Sequence, residues 1–453
     1  MSAIAGDGLR RAAGDWHLLR NFAAPGLPPD VPVFVRGHGC ELWDDRGDRW
    51  LDGLSSLFCV NVGHGRAELA DVAREQAAQL AYATTWDAAH PRAIELAQRL
   101  AVLAPDDLDH VFFTSGGSEA VDSALKLARA HHALRGEPGR TTVIARELAY
   151  HGTTLGALSV TGLDSIRDPW AGLLTGATHV RHTDTYRGDP DDPLGSADAI
   201  EQSILAQGPE TVAAVILEPV QNSGGCLVPP DGYFARVREI CDRYGVLLII
   251  DDTICAFGRL GEWFGAAWTQ VTPDLITTAK GLTSAYVPMG AVIASSAVVE
   301  PFRAGGEVFQ HGLTFGGHPV AAAVALANLE IIEREHLLAR VRQREPWLRS
   351  RLEQLAELPI VGDVRGAGFF FGIELVADQD TKRPLAPALA KEIVEDVLGP
   401  ELKRRRLICR AADRGYPVIQ IAPPLIAGEA ELDELVSILR AVLETATTFV
   451  ARA

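Results

Sequence analysis

Two segments rich in apolar and β-branched residues are each followed by a charged residue. Residues 246–250 precede Asp251, and residues 274–279 precede Lys280. Buried parallel strands present functional groups at their carboxyl ends, and adjacent strands lie about 4.8 Å apart. We therefore expect a carboxylate and an amine on opposite sides of a ring-sized ligand, which suggests a cofactor.

Lys280 also stands out because lysine is rare in this chain. Only five of the 42 lysine and arginine residues are lysines. An amine can lose its proton and attack a carbonyl carbon, whereas a guanidinium stays protonated. Lys280 is therefore a candidate for a Schiff base with a carbonyl group. The alternative is a lysine that closes a strand in a solvated loop.

The composition is that of a globular protein with one large and one smaller domain. The chain has 453 residues, of which 47% are hydrophobic and 22% charged. Its net charge of −17 argues against a nucleic-acid partner or an anionic membrane surface, since both require a basic face. The short basic cluster at residues 403–406 is interpreted as a helix end.

The six cysteines indicate a reducing compartment. They are scattered without a CxxC pair or the spacing of metal ligands, so we expect no metal site. An apolar leader segment and an 18-residue apolar run are also missing from the sequence. We expect a cytoplasmic protein.

The hydrophobic pattern predicts an α/β fold. A hairpin is expected from residues 33–35, 41–43 and 50–52, and alternating strands and helices follow. The strands are predicted at 110–114, 141–146, 177–182, 212–217, 246–250, 274–279 and 290–295. Such alternation predicts a mostly parallel seven-stranded sheet that is covered by helices and binds ligands at its carboxyl edge.

Three regions follow from this pattern. Residues 1–65 form an N-terminal arm and hairpin that belong to the small domain, residues 66–330 form the large domain, and residues 331–453 form a C-terminal small domain of α+β type. In the last region, helices are predicted at 337–356, 386–405 and 430–449.

A glycine-rich turn follows the first strand of the predicted sheet. Ser115-Gly116-Gly117-Ser118-Glu119 opens a long helix, and the free amides of a helix start attract anions, phosphate above all. The turn lacks both GxGxxG and GK[ST], which excludes the dinucleotide and P-loop signatures. The alternative is a capping box at Ser115 or Ser118.

Taken together, these motifs resemble those of one family along nearly the whole chain. The chain resembles the class III, or ω-type, aminotransferases that use pyridoxal 5′-phosphate (PLP) and have PLP fold type I. The motifs that carry the resemblance, in chain order, are Phe58-Cys59-Val60-Asn61-Val62-Gly63-His64-Gly65, Ser115-Gly116-Gly117-Ser118-Glu119-Ala120, Tyr150-His151-Gly152, Asp251-Asp252, Phe257-Gly258-Arg259, Thr278-Ala279-Lys280-Gly281, His311-Gly312-Leu313-Thr314-Phe315, Gly317-His318-Pro319 and Pro423-Pro424-Leu425.

The resemblance implies catalytic roles for the two charged residues. Lys280 would hold the cofactor covalently and carry the proton during the reaction. Asp251 would pair with the pyridine nitrogen and keep it protonated. The two residues then face different edges of one cofactor and should not form an ion pair with each other.

The resemblance also implies the remaining cofactor contacts. Gly117 and Ser118 would hold the phosphate, and Tyr150 would cover one face of the ring. The other contacts assigned to the cofactor are His151, Glu218, Thr253 and Thr314. Thr314 would reach the phosphate of the neighbouring subunit, so the resemblance implies a homodimer with shared active sites.

Three positions depart from the common family pattern. The acidic pair is usually Asp-Glu, whereas Asp252 supplies the second carboxylate here. Thr253 occupies the place of a valine that usually meets the ring. Ile254 stands where ornithine- and γ-aminobutyrate-type members have a glutamine, which favours the amine:pyruvate transaminase group.

The substrate pocket is less well defined by the sequence. Members of that group place an aromatic residue at the position of Phe58, and an arginine meets the carboxylate of the keto acid. Arg414 is preferred for this role and Arg410 is next, while a solvated loop arginine is the alternative for each. Trp86 of the partner subunit is a further candidate.

We therefore expect an aminotransferase that moves an amino group from a primary amine or ω-amino acid to pyruvate or a similar keto acid through a PLP/PMP ping-pong cycle. The alternatives within the family are a diaminopelargonate-type aminotransferase and an aminomutase. A non-catalytic cofactor-binding regulator is disfavoured, because the sequence shows no DNA-binding extension and Lys280 is present.

Overall fold

The computed structural model describes residues 18–24 and 31–452. Its strands are β1 (Phe34–His38), β2 (Glu41–Asp44), β3 (Arg49–Asp52), β4 (Leu108–Thr114), β5 (Thr142–Arg146), β6 (Ala177–Val180), β7 (Val212–Leu217), β8 (Leu247–Asp251), β9 (Leu275–Thr278), β10 (Gly290–Ser295), β11 (Val361–Ala367), β12 (Phe370–Leu375), β13 (Leu407–Ile408), β14 (Arg410–Asp413) and β15 (Pro417–Ile421).

The α-helices, apart from one distorted turn at Ser55–Phe58, are α1 (Ala67–Gln79), α2 (Pro91–Leu103), α3 (Gly117–Leu134), α4 (Leu155–Val160), α5 (Asp164–Arg167), α6 (Gly195–Gln207), α7 (Tyr233–Tyr244), α8 (Gly265–Thr269), α9 (Ser296–Gly305), α10 (Pro319–Arg334), α11 (Leu337–Glu353), α12 (Pro387–Glu392), α13 (Gly399–Arg404) and α14 (Glu429–Val450). A π-helical stretch, Ile393–Leu398, joins α12 to α13. None of the described helices is long and apolar enough to cross a membrane.

The largest sheet has seven strands, as the hydrophobic pattern predicts. Their order is β4-β10-β9-β8-β7-β5-β6. Strand β10 runs antiparallel to both of its neighbours, and the strands from β9 to β6 are parallel to one another. The prediction of a mostly parallel seven-stranded sheet is therefore confirmed.

Both faces of this sheet are buried, which explains why its central strands are continuous apolar runs. In β8, Leu247 and Ile249 pack with the apolar side of α3. Leu248 and Ile250, which point the other way, pack with α7. Because side chains alternate along a strand, a sheet with helices on both faces needs apolar residues at successive positions.

Two four-stranded sheets complete the fold. One has the order β1-β2-β3-β13 and the other β11-β12-β15-β14. The pairing of β3 with β13 is parallel and joins the N-terminal hairpin to residues 407–408. The predicted hairpin is confirmed. The basic cluster at 403–406 lies at the end of α13, as expected.

Several elements differ from the sequence prediction. Strands β11, β13, β14 and β15 were not predicted by the pattern, and neither were the helices α4, α5, α8 and α9. Most of these segments have six residues or fewer, which is too short to establish a period of two or 3.6. Most of the predicted N-terminal arm before residue 33 falls in residues 1–17 and 25–30, outside the described residues.

Candidate active site

The predicted carboxylate and amine lie at the same edge of the large sheet. Strands β8 and β9 are adjacent, with Asp251 in register with Thr277. Lys280 follows two residues after the end of β9, and Asp251 and Lys280 both line a cavity of about 890 Å³. Asp251 hydrogen-bonds to His151, and no ion pair between Asp251 and Lys280 is found among the described residues. The amine and the carboxylate therefore face a common space without neutralising each other.

Asp251 is held by three side chains. Its Oδ2 accepts a hydrogen bond from Nδ1 of His151 at 2.7 Å. Its Oδ1 accepts from the hydroxyls of Thr253 at 2.6 Å and Thr277 at 3.0 Å. Burial alone would raise the pKa of Asp251, but the bonds from His151 and Thr253 outweigh burial and leave the pKa below its ordinary value. The carboxylate is thus ionised and fixed in position.

The backbone around Lys280 is held in an unusual conformation. Lys280 has a φ of +41°, in a region that costs about 1–2 kcal/mol for a residue with a side chain. The buried Asn328 stabilises the turn by donating to the carbonyl oxygens of Gly281 at 2.9 Å and Leu282 at 3.0 Å. A Cβ atom on Gly281 would lie 2.5 Å from Nδ2 of Asn61. The backbone that follows Lys280 is therefore tightly packed.

A second buried carboxylate, Glu218, organises the wall beside Asp251. Its two oxygens accept from the backbone amides of Tyr150 at 2.9 Å and Asn222 at 2.6 Å. Burial raises the pKa of Glu218. Nη2 of the fully buried Arg146 donates to the carbonyl oxygen of Glu218 at 2.6 Å. Glu218 thereby fixes the backbone of Tyr150, and both residues line the cavity.

The glycine-rich turn lies at another wall of the cavity. Helix α3 begins at Gly117, and residues 115–118 line the cavity. A Cβ atom on Gly117 would lie 2.9 Å from Cγ2 of Thr253, so glycine lets the helix start approach the Asp251 loop. The carboxylate of Glu119 accepts from the amide of Ser115 at 2.8 Å. The N-cap of α3 is Gly116 without a side-chain cap hydrogen bond, so the alternative of a capping box at Ser115 or Ser118 does not hold.

The two candidate arginines enter the same cavity from the β14–β15 hairpin. Arg410 is the first residue of β14, and Arg414 follows its last residue. The alternative of a solvated loop arginine does not hold for Arg410, because this residue is half-buried and pairs with Gln420 of β15. Phe58 is buried at another wall and packs edge-on against Phe370, with ring centroids 5.6 Å apart.

Thr314 and Trp86 are not among the residues that line this cavity. Both are exposed, Trp86 by 65%. They lie on one surface, because a Cβ atom on Gly312 would be 2.9 Å from the Trp86 ring and the Tyr82 hydroxyl donates to the Thr314 carbonyl oxygen at 2.7 Å. The two residues assigned to the partner's site thus share one exposed patch.

Thr277 and Arg146 have contacts to the site that sequence reasoning missed. The one signal for Thr277 is its place in the strand before Lys280, because the register that sets it beside Asp251 is not contained in the sequence. Arg146 carries no such signal, because an arginine at the end of a strand is usually solvated.

The described residues fit PLP. An ionised and buried carboxylate suits a protonated ring nitrogen, and the start of an 18-residue helix suits a phosphate. A lysine in the same cavity suits an aldehyde carbon. A side chain at Gly117 would collide with Thr253 and would keep the start of α3 away from the Asp251 loop.

Comparison with known proteins agrees with this arrangement. The Aminotransferase class-III family model matches residues 24–443. A probable aminotransferase of Mycobacterium tuberculosis is 53% identical over 432 residues, which cover 94% of this chain and 92% of that protein. The putrescine–pyruvate aminotransferase of Pseudomonas aeruginosa is 39% identical over 419 residues, which cover 91% and 90% of the two chains.

A solved structure is similar along the whole fold. It is a thermostable (S)-enantioselective omega-transaminase from Thermomicrobium roseum, with a TM-score of 0.92 and 39% identity over 98% of this chain and 100% of that chain. The fold is that of PLP fold type I. The chain belongs to the class III aminotransferases and is a PLP-dependent transaminase.

Proposed function

We propose that this transaminase moves an amino group from a primary amine or ω-amino acid to pyruvate or a similar 2-oxo acid, with PLP and its amine form, PMP, alternating in a ping-pong cycle. The observation that carries the proposal is that Asp251, Lys280 and the start of α3 line one cavity. The likeness to a putrescine–pyruvate aminotransferase supports pyruvate as the acceptor.

Lys280 and Asp251 have the central roles. When bound, PLP supplies an electrophilic carbon and a ring that accepts electrons. Nζ of Lys280 would hold the cofactor and would carry the proton during the reaction. The carboxylate of Asp251, held by His151 and Thr277, keeps the proton on the ring nitrogen.

The other cavity residues position the cofactor. Gly117 and Ser118 bind its phosphate through the amides at the start of α3. Tyr150 would cover one face of the ring and Thr253 the other, since both line the cavity. His151 orients Asp251, and Glu218 holds the backbone of Tyr150.

We further propose a homodimer in which each subunit completes the other's site. The exposed patch formed by Trp86 and Thr314 would be the contributing surface, with Thr314 directed to the partner's phosphate and Trp86 to its substrate pocket. Phe58 would line the substrate pocket, and Arg414 or Arg410 would bind the carboxylate of the acceptor. The domain limits at 65/66 and 330/331 and a cytoplasmic location remain predictions.

The cofactor's colour tests this function. The purified protein should be yellow, lose its colour with an active amine and recover it with pyruvate. A panel of aryl-alkyl amines, β-alanine, taurine and diamines identifies the donor. A colourless protein that takes up no PLP contradicts the proposal. Recovery that requires neither pyruvate nor a similar 2-oxo acid favours the diaminopelargonate-type aminotransferase or the aminomutase.

A further inference from the structure

The side chain of His311 joins the segment that carries Thr314 to helix α3. This segment, residues 306–318, connects α9 to α10. Nε2 of His311 lies 2.8 Å from Oγ of the buried Ser123, and Nδ1 lies 3.3 Å from Nζ of Lys126. Ser123 and Lys126 both belong to α3, whose start is the proposed phosphate site. The histidine therefore connects two parts of the molecule that are both assigned to the cofactor phosphate.

The partners of His311 determine which of its ring nitrogens carries the proton. The hydroxyl of Ser123 has one hydrogen and donates it to the carbonyl oxygen of Glu119 at 2.6 Å. Oγ of Ser123 must therefore accept a hydrogen bond from Nε2–H of His311. The ammonium of Lys126 can only donate, so Nδ1 of His311 is the acceptor. His311 is thus a neutral imidazole that is protonated at Nε2.

Two phenylalanines hold the plane of the imidazole. Phe112 of β4 stacks on it, with ring centroids 5.4 Å apart and an angle of 24° between the planes. Phe309 meets it edge-on, also at 5.4 Å between the centroids. His311 is therefore held both by ring packing and by hydrogen bonds, and a substitution that keeps the aromatic ring separates the two contributions.

The charges around His311 favour its neutral form. Burial lowers the pKa of His311, and the positive charge of Lys126 lowers it further. Asp122 and Glu119 of the same helix act in the opposite direction without reversing the shift, and β4 contributes the uncharged ring of Phe112. A second proton would lie on Nδ1 and face the ammonium of Lys126. The hydrogen bond from Lys126 is therefore lost as the pH falls through the lowered pKa.

We propose that His311 is a positioning residue that ties the Thr314 segment to α3 and so sets the place from which Thr314 binds the partner's cofactor phosphate. This inference rests on the proposed homodimer. It adds a connection between the two active sites, because α3 begins at the phosphate site of its own subunit and Thr314 serves the other. Ser123 lies about 9 Å along the helix from Gly117, so the connection is short.

The affinity of the enzyme for PLP tests this role separately from turnover. The holoenzyme is dialysed against known concentrations of free PLP, and the bound fraction is read from the absorbance of the cofactor. His311→Phe keeps the ring packing and removes both hydrogen bonds. It should weaken PLP binding roughly tenfold, the effect of losing one hydrogen bond to a charged group. His311→Gln offers an amide N–H to Ser123 and an amide oxygen to Lys126, so its affinity should stay within about threefold of the wild type.

The pH dependence of PLP affinity tests the assignment of the neutral imidazole. The part of the affinity that depends on His311 should be lost as the pH falls through its lowered pKa, whereas His311→Gln has no titrating group at this position and should keep it. Lys126→Met removes the positive charge, so the loss should begin at a higher pH. Titration of the cofactor itself is common to all variants. The exposed Lys391→Met is the matched control and should leave the wild-type curve unchanged.

Thr314→Val separates failure of this inference from failure of the proposed dimer. If Thr314→Val leaves PLP affinity unchanged, the dimer assignment fails and the inference fails with it. If Thr314→Val weakens binding but His311→Phe does not, only the inference fails. Because His311 acts through Thr314, the double variant should bind PLP about as weakly as Thr314→Val alone, and multiplied effects would overturn the inference. Loss of colour with an amine tests the transamination separately.

Discussion

The two sides of the cavity differ in how the protein balances the charges of their side chains. At the sheet edge, Asp251 receives hydrogen bonds from His151, Thr253 and Thr277, and its pKa is held low. At the hairpin, Arg410 and Arg414 line the cavity, and no described carboxylate is among the groups that shift their pKa values. The first arrangement suits a group that stays bound, since its position is set by the protein. The second suits an anion that arrives and leaves with each substrate.

The largest expected effect concerns the amine at the sheet edge. Lys280→Ala should lower turnover at least about 10⁴-fold, because it removes both the covalent attachment and the proton carrier. The matched control is Lys391→Ala, whose side chain is 70% exposed. Steady-state rates with amine and pyruvate measure the change. Multiple turnovers by Lys280→Ala at near wild-type rate would remove Lys280 from its role.

The next effect concerns the carboxylate. Asp251→Asn should lower kcat/KM about 100- to 1,000-fold, since a neutral amide no longer keeps the ring nitrogen protonated. The amide nearly matches the shape of the carboxylate, so the melting temperature of the apoprotein should change less than the activity. If the activity survives, the sheet edge does not hold the ring nitrogen.

A smaller effect is expected from a residue that acts through Asp251. Thr277→Val removes one hydroxyl that donates to Oδ1 at 3.0 Å while it keeps the side-chain shape. One hydrogen bond to a charged group predicts about a tenfold fall in kcat/KM. The pH profile of kcat/KM should also shift its acidic limb upward, because Asp251 then protonates more easily. Thr445→Val in α14 is a control that should change neither quantity.

The smallest expected effect is on stability. It concerns Asp252, whose pKa is raised, whereas the pKa of the adjacent Asp251 is lowered. Burial raises the pKa of Asp252 to about 8. Between about pH 4 and pH 8, the folded state therefore keeps a proton that the unfolded state has released, and the free energy of unfolding falls as the pH rises. Asp252→Asn should reduce this slope by up to about 1.4 kcal/mol per pH unit. Urea midpoints at pH 5 and 7.5 measure it, and parallel changes in both proteins would contradict the assignment.

The carboxyl edge of the large sheet was predictable because it depends on patterns within short stretches of the sequence. Continuous apolar runs that end in Asp251 and before Lys280 indicate buried parallel strands, and the alternation around them predicts the seven-stranded sheet. The contacts of Asp251 could not be predicted in the same way. They join residues from β9 and from the Tyr150-His151 loop, and the sequence does not contain the register that brings Thr277 beside Asp251.

The hairpin was harder to predict for a different reason. Strands β14 and β15 have four and five residues, and the arginines of the first segment resemble those of a solvated loop. Burial of Arg410 results from packing on β15 and on the cavity wall, which are long-range contacts. The exposed patch of Trp86 and Thr314 has a further dependence, since its predicted role requires a second subunit.

Identification of the lysine that carries PLP tests the central claim most directly. The holoenzyme is treated with borohydride, which reduces the carbon–nitrogen bond between lysine and cofactor and makes it permanent. Peptide mass spectrometry then locates the added phosphopyridoxyl mass among the five lysines. The described cavity predicts the label on Lys280. A label on Lys126, Lys382, Lys391 or Lys403, or no label on a PLP-loaded protein, would contradict the account.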